Sequence, residues 1–164
     1  MPEFTEIERK WSCSWDVPAS FPLINRSKIE RQYLSVNPEV RLTRRIQNNG
    51  ITHNLTIKGN GVLERTEVRL ILDREQYERI RSLIPVSPLL LETKSCLSPE
   101  GLRISVKHCV QLDITFAAIE FESLEESHNL DCWKDAIPFF YEEVTDCPAF
   151  YVKNMWCKYA NLRT

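Results

Sequence analysis

The chain has 164 residues, of which 43% are hydrophobic and 27% charged, and its formal net charge is −2. This length and composition predict a single folded domain spanning residues 1–164 and exclude a disordered chain. The slightly negative net charge argues against general nucleic-acid binding, which normally requires a basic excess. No apolar run reaches the 18 or so residues of a membrane span, so we expect no membrane partner.

The use of cysteine predicts the compartment. Six cysteines are scattered along the chain without a CxxC pair or the spacing of metal ligands. The N-terminus also lacks the basic and apolar pattern of a secretory leader. We therefore expect reduced thiols and a cytoplasmic protein.

The first strand-like segment places charged residues at alternate positions. Glu6, Glu8 and Lys10 share one face of a strand, whereas Ile7 and Trp11 occupy the other face. Two carboxylates on one face are suited to holding a hard divalent cation, and the neighbouring lysine can meet an anion bound to that cation. This face is therefore a candidate metal site beside a candidate anion site.

The elements that follow are mainly strands. A loop is predicted over Val17–Asn25, because it contains two prolines. Alternating apolar and polar residues then predict several strands, two of which are joined by a hairpin turn at Gly59–Gly61. The strand patterns cover residues 40–46, 55–58, 66–72, 102–107 and 114–122.

Two helices interrupt the strands. Asp73 with Gln76 three residues later forms a capping box, and the helix that it starts ends before Pro85. Ser123 with Glu126 predicts a second helix start, with an end near residue 132. Residues 138–145 form an extended or turn segment, followed by a tail over residues 151–159. The pattern predicts a mainly β (α+β) protein.

One face of the predicted strands is strongly charged. It could be the solvated outer face of a sheet, with Lys153 of the tail equally solvated. Alternatively, the sheet closes with this face inward, and its eight cations and five carboxylates line a wet lumen that expects a highly charged ligand. A polyphosphate with a divalent metal satisfies both signs of charge. The charged face comprises Glu6, Glu8, Lys10, Arg41, Arg45, Lys58, Arg65, Glu67, Arg69, Arg103, Lys107, Glu120 and Glu122.

The sequence resembles the CYTH, or triphosphate tunnel metalloenzyme, superfamily. The segment Glu6–Lys10 is similar to its ExExK signature, and later segments recur in the family's order over nearly the whole chain. These segments are Gln32–Leu34, Val40–Leu42, Leu55–Gly59, Glu64–Glu67, Ile119–Ser123 and Glu143–Thr145, with Tyr151 and Asn154. The resemblance implies a closed eight-stranded antiparallel barrel with flanking helices, whose tunnel binds triphosphates with Mg²⁺ or Mn²⁺.

The resemblance also implies roles for individual residues. The implied metal ligands are Glu6, Glu8 and Glu120. Catalysis would involve Glu8, Glu67 and Lys10. The implied phosphate-binding residues are Lys10, Arg41, Arg45, Lys58, Arg65 and Lys94, to which the charged face adds Arg103 and Lys107.

Several positions depart from the family pattern. Thr43 stands in place of a second arginine, which Arg44 or Arg45 could replace. Other departures are Arg69 for an acidic residue, Ser95 for the arginine of a Lys-x-Arg strand, and Ala118 for a carboxylate. Ser105 stands in place of an upstream aspartate, unless a short deletion brings Asp113 to that position.

The leading prediction is metal-dependent hydrolysis of a triphosphate. Inorganic tripolyphosphate is the expected substrate, because the segment EIERK resembles the corresponding segment of the bacterial inorganic triphosphatases. Within the superfamily, adenylyl cyclase and thiamine triphosphatase activities stay open. The departures support a different alternative, a triphosphate- or nucleotide-binding protein that has lost turnover. The partner is a small molecule in each case, and the protein is expected to be a monomer or a homodimer.

Overall fold

The computed structural model describes residues 3–130 and 137–161. Within these ranges nine strands and three helices follow one another along the chain. In order, they are β1 (Glu3–Cys13), β2 (Leu23–Val36), β3 (Glu39–Gln47), β4 (Gly50–Lys58), β5 (Glu64–Leu72), α1 (Arg74–Arg81), β6 (Leu89–Leu97), β7 (Arg103–Cys109), β8 (Ile114–Phe121), α2 (Leu124–Asn129), β9 (Phe140–Glu143) and α3 (Val152–Asn161).

The strands form one antiparallel sheet that closes on itself. Their order is β5-β4-β3-β2-β6-β7-β8-β1, and β1 returns to pair with β5, with Glu6 opposite Arg65. The ninth strand, β9, extends the sheet beside the second half of β1. The closed eight-stranded barrel implied by the resemblance is therefore confirmed.

Local sequence signals define several element boundaries. Asp73 and Gln76 exchange hydrogen bonds at the start of α1 as a capping box requires. Ser123 accepts a hydrogen bond from the backbone of Glu126 at the start of α2. The expected continuation of α2 to residue 132 lies partly outside the described residues. The predicted loop over Val17–Asn25 is wrong at its end, because β2 already begins at Leu23.

The turn between β4 and β5 requires a glycine at one position. Gly61 has a φ of 135°, and a Cβ placed there would lie 2.0 Å from the backbone oxygen of Glu64. Only glycine is compatible with both conditions. The predicted hairpin is confirmed, and its turn brings Lys58 and Arg65 to the same end of the barrel.

Apolar packing occupies both surfaces of the barrel wall. Outside, the alternate residues of β1, β7 and β8 pack with Phe21, Leu130 and Phe139. At one end of the lumen, α3 packs Met155 and Trp156 against the inward-facing residues of β2, β6 and β8. Charged residues predominate in the rest of the lumen. None of the helices in the described ranges is long and apolar enough to cross a membrane.

Candidate active site in the barrel lumen

The lumen contains a strongly charged cavity. It encloses about 870 Å³ of space, the open solvent at its mouth included. Nine cationic side chains and four carboxylates line it, so positive charge is in excess. The cations are Lys10, Arg31, Arg41, Arg45, Lys58, Arg65, Arg69, Lys107 and Lys153, and the carboxylates are Glu6, Glu8, Glu39 and Glu120.

Three carboxylates converge on one part of the cavity wall. Glu6 and Glu8 project from β1, and Glu120 on β8 is the direct cross-strand partner of Glu8. One oxygen atom of each carboxylate lies within 4.8 Å of the other two. This oxygen-only donor set fits a hard divalent cation such as Mg²⁺ or Mn²⁺.

The electrostatics of these carboxylates agree with that fit. Burial and the neighbouring Glu8 and Glu6 raise the pKa of Glu120, against the opposing effect of Lys107. Burial also raises the pKa of Glu8, but Lys107 and Lys10 outweigh burial and leave the pKa of Glu8 lowered. A divalent cation would relieve the repulsion among the three carboxylates.

A set of mutually paired side chains lies beside the candidate metal site. Lys58 donates hydrogen bonds to both carboxylate oxygens of Glu6, at 2.7 Å each, and its ammonium lies 2.9 Å from Glu67. Arg65 donates to Glu6 at 2.8 Å and to Glu39 at 3.1 Å. We call Glu6, Glu39, Arg41, Lys58, Arg65, Glu67 and Arg69 the ion-pair network, since Arg41 pairs with Glu39 and Arg69 with Glu67.

The ion-pair network affects the metal ligand Glu6. Burial raises the pKa of Glu6, but Lys58 and Arg65 outweigh burial and hold it far below its usual value. The ionised form of Glu6 is therefore favoured, and it shares its oxygens with two cations. Glu8 and Glu120 are the carboxylates with oxygens less occupied by protein groups.

Lys10 lies between the carboxylates and the end of the lumen that α3 covers. Its ammonium is 3.3 Å from Glu8 and faces the rings of Phe116 and Tyr151, at 5.7 and 5.6 Å from their centroids. These rings form part of the cavity lining. Lys10 can therefore contact an anion and the carboxylate Glu8 from one position.

The register of β3 identifies its inward arginines. Arg41 and Arg45 line the cavity, whereas Arg44 points outward and pairs with Glu30 on β2. Of the two candidates to replace the arginine missing at Thr43, the structure therefore brings only Arg45 into the lumen. Arg45 donates a hydrogen bond to the hydroxyl of Ser27.

Two residues of β7 share the face that borders the lumen. Lys107 lines the cavity, with its ammonium 3.9 Å from Glu8. Burial and Lys10 lower its pKa to about 8, against the opposing effect of Glu8. Arg103 lies at the rim, exposed and outside the cavity lining, yet close enough to contribute to the lowered pKa of Arg45.

The structure does not bring Lys94 to the cavity. Lys94 points to the outer face of β6, where its ammonium donates to the carbonyl of Trp15 at 2.9 Å and lies 3.8 Å from the Trp15 ring centroid. The side chains of β6 alternate, so Thr93 and Ser95 have the inward positions instead. The implied phosphate contact of Lys94 has no geometric basis.

Glu67 is also separated from the cavity. Its side chain is fully buried and lies behind Lys58, which pairs with it, and Arg69 contacts it from the other side. Glu67 does not belong to the cavity lining. It holds Lys58 in place, and a direct catalytic role has no geometric basis.

The structure decides between the two alignments of the missing aspartate. Ser105 on β7 pairs directly with Ala118 on β8, which lies opposite Lys10 on β1. Asp113 lies in the turn between these strands, with a φ of 53° and a side chain that is 96% exposed. The alternative that places Asp113 in the lumen is wrong.

Sequence reasoning missed two charged residues of the cavity: Arg31 on β2 and Glu39 at the start of β3. Tyr151, which entered only as part of the resemblance, precedes α3 and also lines the cavity. The alternation Ile29, Arg31, Tyr33 was the available signal for Arg31, but the family pattern drew attention only to the segment after it. Lys153, expected to be solvated in the tail, also lines the cavity.

Solved structures with the same fold agree with the barrel. A structure of the inorganic triphosphatase NE1496 matches with a TM-score of 0.55 and 20% identity, over 88% of this chain and 92% of that chain. Another structure of the same protein, described as hypothetical, gives 0.56 and 20% over 89% and 93%. PH1819 from Pyrococcus horikoshii gives 0.62 and 15% over 84% and 92%.

The likeness at the level of sequence is weaker. No family model matches the chain, and no curated protein matches it. The solved structures therefore establish the fold, and the side chains of the lumen have to carry the argument about function.

Proposed function

We propose that this protein hydrolyses a phosphoanhydride bond of a triphosphate inside the barrel, with inorganic tripolyphosphate as the substrate. The observation that carries the proposal is the composition of one cavity, in which a cluster of three carboxylates faces an excess of cations. Carboxylate oxygens suit Mg²⁺ or Mn²⁺, and guanidinium and ammonium groups suit phosphate oxygens. The structural likeness to the inorganic triphosphatase NE1496 supports the same reaction.

The metal would be held by Glu8 and Glu120, with Glu6 as a shared ligand. When bound, a divalent cation of this kind lowers the pKa of a water ligand and polarises phosphoryl oxygens. The protein's own contribution is to hold the phosphate chain in place and to neutralise the charge that develops on it. Lys58 and Arg65 are positioned for this on one side of Glu6, and Lys10 and Lys107 on either side of Glu8.

Details of the lumen favour an inorganic substrate over a nucleotide. A nucleobase requires an apolar or aromatic surface for packing. Within the described cavity lining, the two aromatic rings are those of Phe116 and Tyr151, and the Lys10 ammonium faces both. Turnover of ATP or thiamine triphosphate would accordingly be slower than turnover of tripolyphosphate.

An assay of purified protein tests the proposal. Tripolyphosphate, ATP and thiamine triphosphate are each supplied with Mg²⁺ or Mn²⁺, and both phosphate release and cyclic AMP formation are measured. We expect phosphate release, fastest from tripolyphosphate, that ceases on adding EDTA. Cyclic AMP without phosphate release would instead establish a cyclase.

A second candidate function is binding without turnover. It is favoured by the neutral side chains at inward positions where the family carries charge, Thr93, Ser95 and Ala118. Calorimetric binding of tripolyphosphate with no phosphate release in the same buffer would establish this candidate and reject hydrolysis.

The compartment and the oligomeric state belong to the proposal as well. The five cysteines that the structure describes are free, and Cys13, Cys96 and Cys109 are buried in the core. Free buried thiols support a reducing, cytoplasmic location. Light scattering during size-exclusion chromatography would distinguish the expected monomer or homodimer from a larger assembly.

A further inference from the structure

Arg31 differs from the other buried cations of the lumen. Its side chain lines the cavity, and the residue is only 6% exposed. Among the described residues it has no ion pair and no hydrogen bond, and its Nε atom is buried without a partner. By contrast, Lys58 and Arg65 are buried against carboxylates.

The surroundings of Arg31 make its charge more costly. Burial, together with the nearby Arg41 and Arg45, lowers the pKa of Arg31 to about 10, and Tyr33 and Glu39 oppose this only in part. Arg31 also contributes to the lowered pKa of Lys107 across the lumen. Four cations from β2, β3 and β7 therefore converge here. Arg41 pairs with Glu39 and Lys107 with Glu8, whereas Arg31 and Arg45 have no ion pair within the described residues.

An unpaired buried charge destabilises a folded protein unless something compensates for it. The neighbouring strand β6 offers no compensation, since its residue opposite Arg31 is Leu89 and its next inward residues are Leu91 and Thr93. The guanidinium is, however, a planar donor that matches two oxygens of a phosphate group. The described part of the chain provides no anionic partner for the Arg31 guanidinium. A phosphate group that enters the cavity can be this partner.

We infer that Arg31 is a further substrate-binding residue, which donates paired hydrogen bonds to a phosphate group of the substrate opposite the carboxylate cluster. This inference rests on the proposed function, because it assumes a triphosphate in the lumen. It assigns Arg31, with Arg45 beside it, to phosphate recognition. It also explains why the chain tolerates a buried guanidinium that nothing else in the described structure neutralises.

Calorimetric titration with tripolyphosphate in EDTA tests the inference without requiring turnover. The variant is Arg31→Gln, and the matched control is Arg44→Gln, which removes the same charge from the outer face of the neighbouring strand. We expect Arg31→Gln to raise the Kd at least tenfold, because the variant loses charge-assisted hydrogen bonds to the phosphate group. Arg44→Gln should change the Kd by less than about twofold. Equal affinity of both variants would overturn the inference.

Thermal unfolding of the ligand-free proteins separates binding from a structural role. A substrate-binding Arg31 predicts that Arg31→Gln melts no lower than the wild type, since an unpaired buried charge is removed. A loss of melting temperature larger than that of Arg44→Gln would overturn the inference. Arg31→Lys, which keeps the charge but not the paired donors, should show an intermediate Kd, and wild-type affinity in it would contradict paired recognition.

The outcomes for the wild type keep the two proposals distinct. If the wild type binds tripolyphosphate neither in EDTA nor with Mg²⁺ or Mn²⁺, the proposed function fails and the inference fails with it. If the wild type binds and Arg31→Gln binds equally well, only the inference fails.

Discussion

Two groups of charged side chains in the same lumen have opposite electrostatic situations. In the ion-pair network on β1, β3, β4 and β5 every cation has a carboxylate partner, with donor–acceptor distances of 2.7–2.8 Å around Glu6. Arg31 and Arg45, which we call the unpaired arginines, have no ion pair within the described part of the chain. The cations of the ion-pair network have carboxylate partners before any ligand binds, whereas the unpaired arginines do not.

This difference separates stability from binding within one site. Breaking a buried ion pair leaves an uncompensated charge and is strongly destabilising. Removing a buried charge that has no partner carries no such penalty. Variants of the ion-pair network should therefore lower the free energy of unfolding as well as ligand affinity, while variants of the unpaired arginines should change ligand affinity alone.

The largest expected effect belongs to the metal ligand Glu8. Glu8→Gln keeps the shape of the side chain but removes the charge that a divalent cation requires, so turnover of tripolyphosphate should fall on the order of a thousandfold. Phosphate release with saturating Mn²⁺ measures the change. The matched control is Glu92→Gln on the outer face of β6, and a comparable loss of activity in that control would refute the assignment.

The next effect concerns the centre of the ion-pair network. Lys58→Met leaves Glu6 and Glu67 buried without their ammonium partner, so the free energy of unfolding should fall by about 3–5 kcal/mol. Urea denaturation of the ligand-free protein measures it. The exposed Lys28→Met serves as control, and unchanged stability of Lys58→Met would contradict the network's structural role.

Ligand binding should stabilise the folded chain by a smaller amount. Tripolyphosphate at 100 times its Kd should add about 2.7 kcal/mol to the free energy of unfolding, because it binds only the folded state. For a chain of this size that corresponds to a rise in melting temperature of roughly 5–10 °C. Arg31→Gln should show a smaller rise at the same concentration. An equal rise in melting temperature for the wild type and Arg31→Gln would show that Arg31 does not contribute to ligand binding.

The smallest effect is expected outside the lumen. Lys94→Ala removes a cation that the resemblance implied for phosphate binding but that lies against Trp15 on the outer face of β6. Its KM for tripolyphosphate should differ from that of the wild type by less than about twofold. A tenfold increase would show that Lys94 reaches the substrate after all.

Period-two alternation made much of the barrel predictable. It placed Glu6, Glu8 and Lys10 together on one strand face, and the structure brings all three into the cavity. Capping residues likewise located the starts of α1 and α2. These features depend on local geometry, which a sequence encodes directly.

What could not be predicted depends on register and depth. A shift of one residue on β6 moves Lys94 to the outer face, and the sequence alone did not show which of Thr93 and Lys94 points inward. The sequence also does not show how deeply a side chain is buried in the barrel wall. Glu67 could therefore not be distinguished from the carboxylates that line the cavity. Arg31 was missed because its isolation emerges only once the strands on both sides of it are placed.

A crystal structure with Mn²⁺ and tripolyphosphate would show whether metal and substrate meet in the lumen. Anomalous scattering locates the manganese, and the density of the phosphate chain shows its partners. We expect manganese bound to Glu8 and Glu120, with phosphate oxygens on Lys58, Arg65 and Arg31. Manganese away from these carboxylates, or a phosphate chain outside the barrel, would refute the proposed site.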